Sequence, residues 1–486
     1  MDASMSYPNL PLDIQLNILD HLIADTDRIR LSKFAAVSKF WQYVVERKLF
    51  QSLTVNMFDL NDLAAYSKGR THLFKHIVLE LNLDRYQWIP TPSEGCFLKT
   101  AQTLFKILST WDGHDITLEL AILSYEEVYY KYSEEHSFYA IPRKPRAQSI
   151  FAQYKQYFEL PREMLFGGLL ADSEVAWHCK VSLLLGRRTL AFRPSLLEDT
   201  QIQVVNCISK LLIRRRYFPN IAPSSLAMIM DALQCLESVH IERWFYGDPI
   251  SDAIYDMGFS TFLRVPRSCK NISFYEEDDT AYHRRVMKRR ELVPNAGLAY
   301  SLGKEAHHLE NIAVSFSFDA VSFFTPRYGH DFESLVTPCN AYDFKELKTL
   351  ALTSPTMVSE EYGAIDDFLC AVAKVAKRMP QLETLELWYF SSPNFMPPHP
   401  TPSCAGIFTY QRLERYSSCI SWKSTRSFRI SEETMESWKG VVDVEGAEFS
   451  VEHLDLDPDK LTSIGQLYPY LELRDRILHV ITWTEA

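Results

Sequence analysis

A six-residue phrase, apolar-x-x-apolar-x-apolar, recurs along this chain and restricts its fold more than any other feature. It stands at Phe74-x-x-Ile77-x-Leu79, Leu236-x-x-Val239-x-Ile241, Cys269-x-x-Ile272-x-Phe274, Leu309-x-x-Ile312-x-Val314, Leu347-x-x-Leu350-x-Leu352 and Leu382-x-x-Leu385-x-Leu387. From Leu236 onward the copies lie 33–40 residues apart, room for a strand, a loop and a helix in each unit. Helical patterns fill the intervals. Ser224-Ser225 cap a run through Leu226, Ile229, Met230, Leu233 and Leu236, and Ile365 to Met379 is an amphipathic stretch closed by Pro380. Helix, loop and strand in repetition predict parallel strands joined by right-handed crossovers, each unit covering the next.

The phrase matches the strand of leucine-rich repeats, whose regular spacing is shorter, about 20–29 residues. The expected fold is therefore α/β: an irregular leucine-rich-repeat-like solenoid with a parallel sheet. Further strands are expected at Ser52–Val55, Ile116–Ile122 and Ser209–Arg214, a short helix at Asp59–Ser67, and a closing strand at Arg474–Trp483. Between Leu104 and Tyr217 the unit register cannot be read. Asp84–Gly95, Tyr125–Arg146 and Ser391–Cys404 read as surface excursions; the last holds five prolines in fourteen residues, which forbids regular structure.

Leu10 to Phe50 is different. If Pro11 opens a helix, Leu12, Leu16, Leu19 and Ile23 form one apolar stripe, and Ile14, Ile18 and Leu22 form an adjacent one. A helix packed on one core needs an arc of about 100°, so one stripe is left over. A second protein surface is the economical occupant.

These residues resemble the F-box. The resemblance is carried by Leu10-Pro11, Ile14, Ile18, Leu22, Leu31, Phe34, Val37-Ser38-Lys39-x-Trp41 and Leu49-Phe50, with Ser38 where many members have Cys and Phe50 where many have Trp. It implies a three-helix F-box over residues 6–53 that docks on a Skp1-like adaptor and through it on a cullin. Leu10, Pro11, Ile14, Ile18, Leu22, Leu31, Val37 and Trp41 would make or support that contact. Residues 54–486 would form the repeat region, with a subdivision near 200. The whole organisation resembles fungal F-box proteins with a leucine-rich-repeat-like region, a likeness carried also by Arg214 to Leu226 and Leu236 to Trp244.

Composition narrows the function further. The formal charge of -11 and pI near 5.7 argue against nucleic acid or an anionic membrane as partner, because phosphate contacts need a basic face. Nine scattered cysteines without a C-x-x-C pair read as reduced packing thiols. No signal peptide and no membrane span is visible. Cytosol or nucleus is the expected compartment.

No nucleotide-binding, nucleophile-elbow or zinc-hydrolase motif occurs, so no catalytic residue, metal or cofactor is expected. His307-His308 reads as a solvated pair and Glu276-Glu277-Asp278-Asp279 as a solvated acidic loop. The basic run Tyr282 to Arg290 is either a charged helix face or an anionic-ligand patch and nuclear address. Arg214-Arg215-Arg216 is open to the same two readings. In the repeats, strand alternation sends Ser238, His240 and Glu242; Asn271, Ser273 and Tyr275; Asn311, Ala313 and Ser315; Thr349, Ala351 and Thr353; and Thr384, Glu386 and Trp388 to an open strand face. Large side chains dominate interfaces, so Tyr275 and Trp388, with His240, Glu242 and Glu386, are the candidate contacts to a protein target. The expected function is that of a non-catalytic substrate receptor in a ubiquitin ligase. The alternative is an adaptor-bound scaffold without a ubiquitination role.

Overall fold

The structure is a computed structural model. It describes residues 11–25, 28–83, 92–113, 115–124, 190–192, 201–214, 220–244, 249–277, 296–305, 307–324, 344–391, 402–414, 417–441, 448–480 and 482. Tyr125–Arg146, Asp278 to Arg290, Arg215-Arg216, Leu10 and most of the proline-rich excursion lie outside the described residues.

Three helices open the chain, α1 (Leu12–Asp25), α2 (Arg28–Phe34) and α3 (Lys39–Gln51). The last runs directly into β1 (Ser52–Val55). Among the described residues twelve strands form a single sheet in strict chain order. Next come α4 (Leu60–Tyr66), β2 (His76–Leu83), α5 (Pro92–Leu108), β3 (Ile116–Ser124) and β4 (Ile208–Ile213). Four regular units follow: α6 (Pro223–Ala232) with β5 (Ser238–Trp244), α7 (Pro249–Phe262) with β6 (Asn271–Glu277), α8 (Ala296–Glu305) with β7 (Asn311–Ser315), and α9 (Ala320–Phe324) with β8 (Thr349–Thr353). The chain continues through α10 (Tyr362–Ala376), β9 (Thr384–Ser391), β10 (Cys404–Glu414), β11 (Ser417–Ser424), α11 (Glu432–Lys439) and β12 (Glu448–Asp455).

The phrase builds each unit in the same way. Its first position packs under the turn before the strand, and its second and third point from the strand into the helix-side core. Leu236, Cys269, Leu309, Leu347 and Leu382 are all buried, as are Val239, Ile272, Ile312, Leu350 and Leu385 beside them. Each such aliphatic side chain contributes about 1.5–3 kcal/mol relative to exposure. The turns are also stitched to each other. The N–H of Lys270 donates to the Glu237 carbonyl, Glu310 to Lys270, Lys348 to Glu310 and Glu383 to Lys348, at 2.7–2.9 Å. These same positions alternate in charge, and the Glu310 carboxylate sits 2.8 Å from Lys348 Nζ and 3.5 Å from Lys270 Nζ. One residue on, Asn311 Nδ2 donates to Asn271 Oδ1 and Thr349 Oγ1 to Asn311 Oδ1, both at 2.6 Å.

The sheet departs from the all-parallel expectation at one place. β1 to β9 are parallel, but β9 and β10 pair antiparallel, as do β10 and β11; β11 and β12 are parallel again. The excursion Ser391–Cys404 is the connection between β9 and β10, which explains why no helical pattern separates those strands. Three smaller corrections follow from helix chemistry. Pro92 starts α5, so the excursion Asp84–Gly95 ends inside a helix. Pro223 occupies the first turn of α6, which makes Ser224-Ser225 helical, and Ser225 Oγ accepts instead from the Phe192 N–H at 2.7 Å. The described residues of Arg474–Trp483 form no strand: the stretch begins with a short helix, α12 (Arg474–Ile477).

The second face of the sheet is covered from β5 to β11 by the segment that follows β12. Leu456, Leu461, Leu467, Tyr468, Leu471, Leu473, Ile477 and Leu478 are buried there against Tyr275, Ala313, Ala351, Trp388, Phe390, Ala405 and Ile407. No described helix is long and apolar enough to cross a membrane.

Candidate functional site

Two surfaces bear the residues singled out from sequence. The first is the N-terminal helix trio. Its interior is small: Leu19, Leu31 and Val45, one side chain from each helix, are buried together, with Phe34, Phe40, Trp41, Val44 and Leu49 partly covering them. Ser38 caps α3, its side chain accepting from the Trp41 N–H at 3.2 Å. The trio is tied to the array by a bidentate pair, Arg70 donating to Glu46 at 3.1 and 3.2 Å, which holds the Glu46 carboxyl below its ordinary range. An aromatic run continues the join, with Phe50 5.3 Å from Phe74 and Phe74 4.8 Å from Trp111 between ring centres.

Among the expected adaptor contacts, Leu10 lies outside the described residues and Pro11 is exposed. Ile14, Ile18 and Val37 are 42 %, 38 % and 62 % exposed, and Leu22 is half-buried. Leu31 belongs to the trio's interior, so it supports rather than presents. Trp41 is half-buried, its ring 6.2 Å from Phe34. Of the stripe expected to face inward, Leu19 does so, whereas Leu16 is as exposed as Ile18. A shallow cleft of about 380 Å³ beside the trio is lined by Tyr43, Glu46, Lys68, Gly69, Arg70, His72 and Leu73.

The second surface is the strand face, and here the expectation of an open face is overturned. Glu242, Tyr275, Glu386 and Trp388 do point to the side opposite the helices, but all are 1 % exposed or less. The C-terminal segment lies over them. Glu386 accepts the Glu472 and Leu473 N–H groups at 2.9 and 3.0 Å and the Thr409 hydroxyl at 3.3 Å. Glu242 accepts the His479 N–H and the Thr482 hydroxyl, each at 2.8 Å. The hydroxyls of Tyr275 and Tyr468 are 2.8 Å apart, and Ser273 Oγ donates to the Ile477 carbonyl at 3.2 Å. His240 is half-buried, with Nε2 2.8 Å from Glu242 Oε1 and its ring 5.9 Å from that of His479. These five residues therefore hold the chain's own tail. Small residues at 273, 313 and 351 leave the space it fills.

Burial sets the electrostatics under the tail. Desolvation pushes the Glu386 carboxyl up to about 7 against the pull of its two N–H donors and Lys423. Desolvation, together with His240 and Arg214, lowers His479 to about 4.

Two buried charge clusters escaped the sequence reading. Glu119, fully buried on β3, accepts from Arg214 Nε and Nη2 at 2.8 and 2.6 Å and lies 2.9 Å from His76 Nε2. Its signal was a lone carboxylate within the apolar strand Ile116–Ile122. Glu276, expected in a solvated loop, is buried in β6 and paired with Arg243, which also bonds Asp256 and lies 4.0 Å over the Tyr255 ring. His307 is exposed and His308 half-buried, 3.0 Å from the Pro266 carbonyl. No group of His, Cys, Asp and Glu among the described residues could hold a metal ion.

Residues 264–479 match a family described only as a family of unknown function, DUF6546. The match takes in β6 through β12 and the docked segment as far as His479. No curated protein and no solved structure matches the chain.

Proposed function

We propose that this chain is the substrate-recognition subunit of an SCF-type ubiquitin ligase, binding a Skp1-like adaptor through residues 11–51 and a protein target through the repeat region. The observation that carries the reading is the apolar surface of Ile14, Ile18 and Val37 on a helix trio whose own interior is already filled by Leu19, Leu31 and Val45. Stable association needs such an anchor cluster free of internal partners. The F-box resemblance names the partner. In this role the chain performs no bond chemistry and acts in the cytosol or nucleus; it raises the local concentration of target near the ubiquitin being transferred. The target would engage surfaces outside the strand face under the tail.

The test is co-purification of full-length chain with Skp1, compared with an Ile14→Asp/Ile18→Asp variant. Wild type should retain the adaptor and the variant should lose it with the array intact. Folded wild-type protein that fails to associate would overturn the proposal. Association without any change in the level of bound targets on deleting the chain would leave the scaffold reading instead.

A further inference from the structure

The two ends of the sheet are finished differently. β1 is four residues long and follows directly from α3. β12 is eight residues long, six of them exposed, and no described strand pairs its outer edge. The edge is firmly held all the same, because Phe449 and Val451 are partly buried against the main core. Its hydrogen-bonding pattern can be assigned. The Leu456 N–H donates to the Ser424 carbonyl at 2.8 Å, so alternation turns Leu454, Glu452, Ser450 and Glu448 toward β11. The backbone groups of Phe449, Val451, His453 and Asp455 then face outward.

The charge at this end is one-sided. Residues 431–459 contain ten carboxylates and one lysine, a formal charge of -9 within a chain of -11. Several are neutralised locally: Asp455 by Arg429 at 2.9 and 3.2 Å, Asp457 by Lys460 at 3.3 Å and Glu436 by Lys439 at 3.6 Å. Glu448 and Glu452 form no ion pair among the described residues. They share one side of the strand with Ser450 and the exposed Leu454. A second copy of β12 would set carboxylate against carboxylate, a repulsive cross-strand pairing.

We propose that the outer edge of β12 accepts an extended basic peptide segment of a partner protein as a thirteenth strand. The Val451 and His453 backbone groups bond its main chain, Glu448 and Glu452 take its lysines or arginines, and the exposed Leu454 packs on the aliphatic stem of one of them. This is strand addition, in which backbone bonds supply affinity and alternate side chains supply selection. It holds whether or not the N-terminal helices engage an adaptor.

The test uses the full chain and fluorescence anisotropy with a labelled peptide of about ten residues alternating Lys and Val. Three comparisons accompany it: the Glu/Val counterpart, the Lys/Val peptide N-methylated at alternate positions, and the variants Glu448→Lys/Glu452→Lys and His453→Pro. Proline at 453 removes only an outward N–H, the position where an edge strand tolerates it. The Lys/Val peptide should bind and the Glu/Val peptide should not; each variant, and the N-methylated probe on wild type, should weaken binding about tenfold or more. Circular dichroism and Tm of the variants should match wild type. If His453→Pro fails to fold, the N-methylated probe makes the same comparison on the native chain. Absence of binding, or equal binding of the N-methylated probe, overturns the proposal, the second because it leaves only unspecific charge attraction.

Discussion

Glu386 and His479 both sit where the C-terminal segment meets the sheet, and they give its docking opposite pH dependences. The docked Glu386 carboxyl titrates at about 7 instead of 4.5. Below 4.5 both docked and released states are protonated; between 4.5 and 7 only the docked state keeps the proton, so docking weakens as pH rises. A difference of that size corresponds to about 3 kcal/mol once pH exceeds 7. His479 is lowered from 6.5 to about 4. Above 6.5 both states are neutral; as pH falls toward 4 only the released state gains a proton, so docking weakens on acidification. The ring is partly solvated, which reduces its share to about 1–2 kcal/mol. Lys423 and Glu472 face Glu386, and His240, Arg214, Glu242 and Glu119 face His479. Between pH 4.5 and 6.5 the two dependences oppose each other, and wild-type docking should vary less steeply than it does with the imidazole removed. His479→Gln should unmask the carboxylate, so that docking weakens steadily as pH rises toward 7. Glu386→Gln should unmask the imidazole and reverse the slope. Hydrogen exchange of the Glu472 and Leu473 amides, corrected for intrinsic rates, reports local release rather than global unfolding. Identical slopes in wild type and both variants would refute the reasoning.

Other substitutions probe the remaining features. Leu19→Ala removes one of the three side chains buried together among the described residues of the trio and should cost about 2–5 kcal/mol, melting residues 12–51 by circular dichroism while the array keeps its Tm. Arg243→Met removes the guanidinium that pairs with buried Glu276 and half-buried Asp256 and should lower stability by about 3–5 kcal/mol in urea titration. Gly406→Ala would bring a Cβ to 2.1 Å from the Met357 carbonyl oxygen; the backbone there cannot yield, and a loss of about 3 kcal/mol is expected by thermal unfolding.

The array was legible because its signal is local. A buried residue before each strand and two more within it follow from covalent alternation, and Leu236 to Leu387 obey it at every unit. Glu237, Lys270, Glu310, Lys348 and Glu383 alternate in charge along the turn-to-turn ladder, a pattern the apolar phrase did not single out. What covers the far side is not local. Ser273, Ala313 and Ala351 read alike under water or under another segment, and the deciding residues lie as far as 240 positions away, at Thr482 against Glu242. Tyr275 and Trp388 were correctly placed on that face, yet large aromatics sharing a face with small residues such as Ser273, Ala313 and Ala351 are as much the mark of an interior as of an interface. At the N-terminus, two apolar stripes were readable, but the burial of Leu19 alongside the exposure of Leu16 depends on how three short helices meet.

The tail's contacts also order events in time. Every strand it closes is made before it on the ribosome, so β5 to β10 emerge with Tyr275, Trp388, Phe390 and Ile407 uncovered on one side. Contacts separated by some 200 positions are the slowest to form, and apolar surface exposed meanwhile invites association with other nascent chains or capture by chaperones. Maturation of this protein therefore has a distinct late step, the laying down of the segment after β12, and ribosome-stalled chains that lack it should be markedly stickier than chains that contain it.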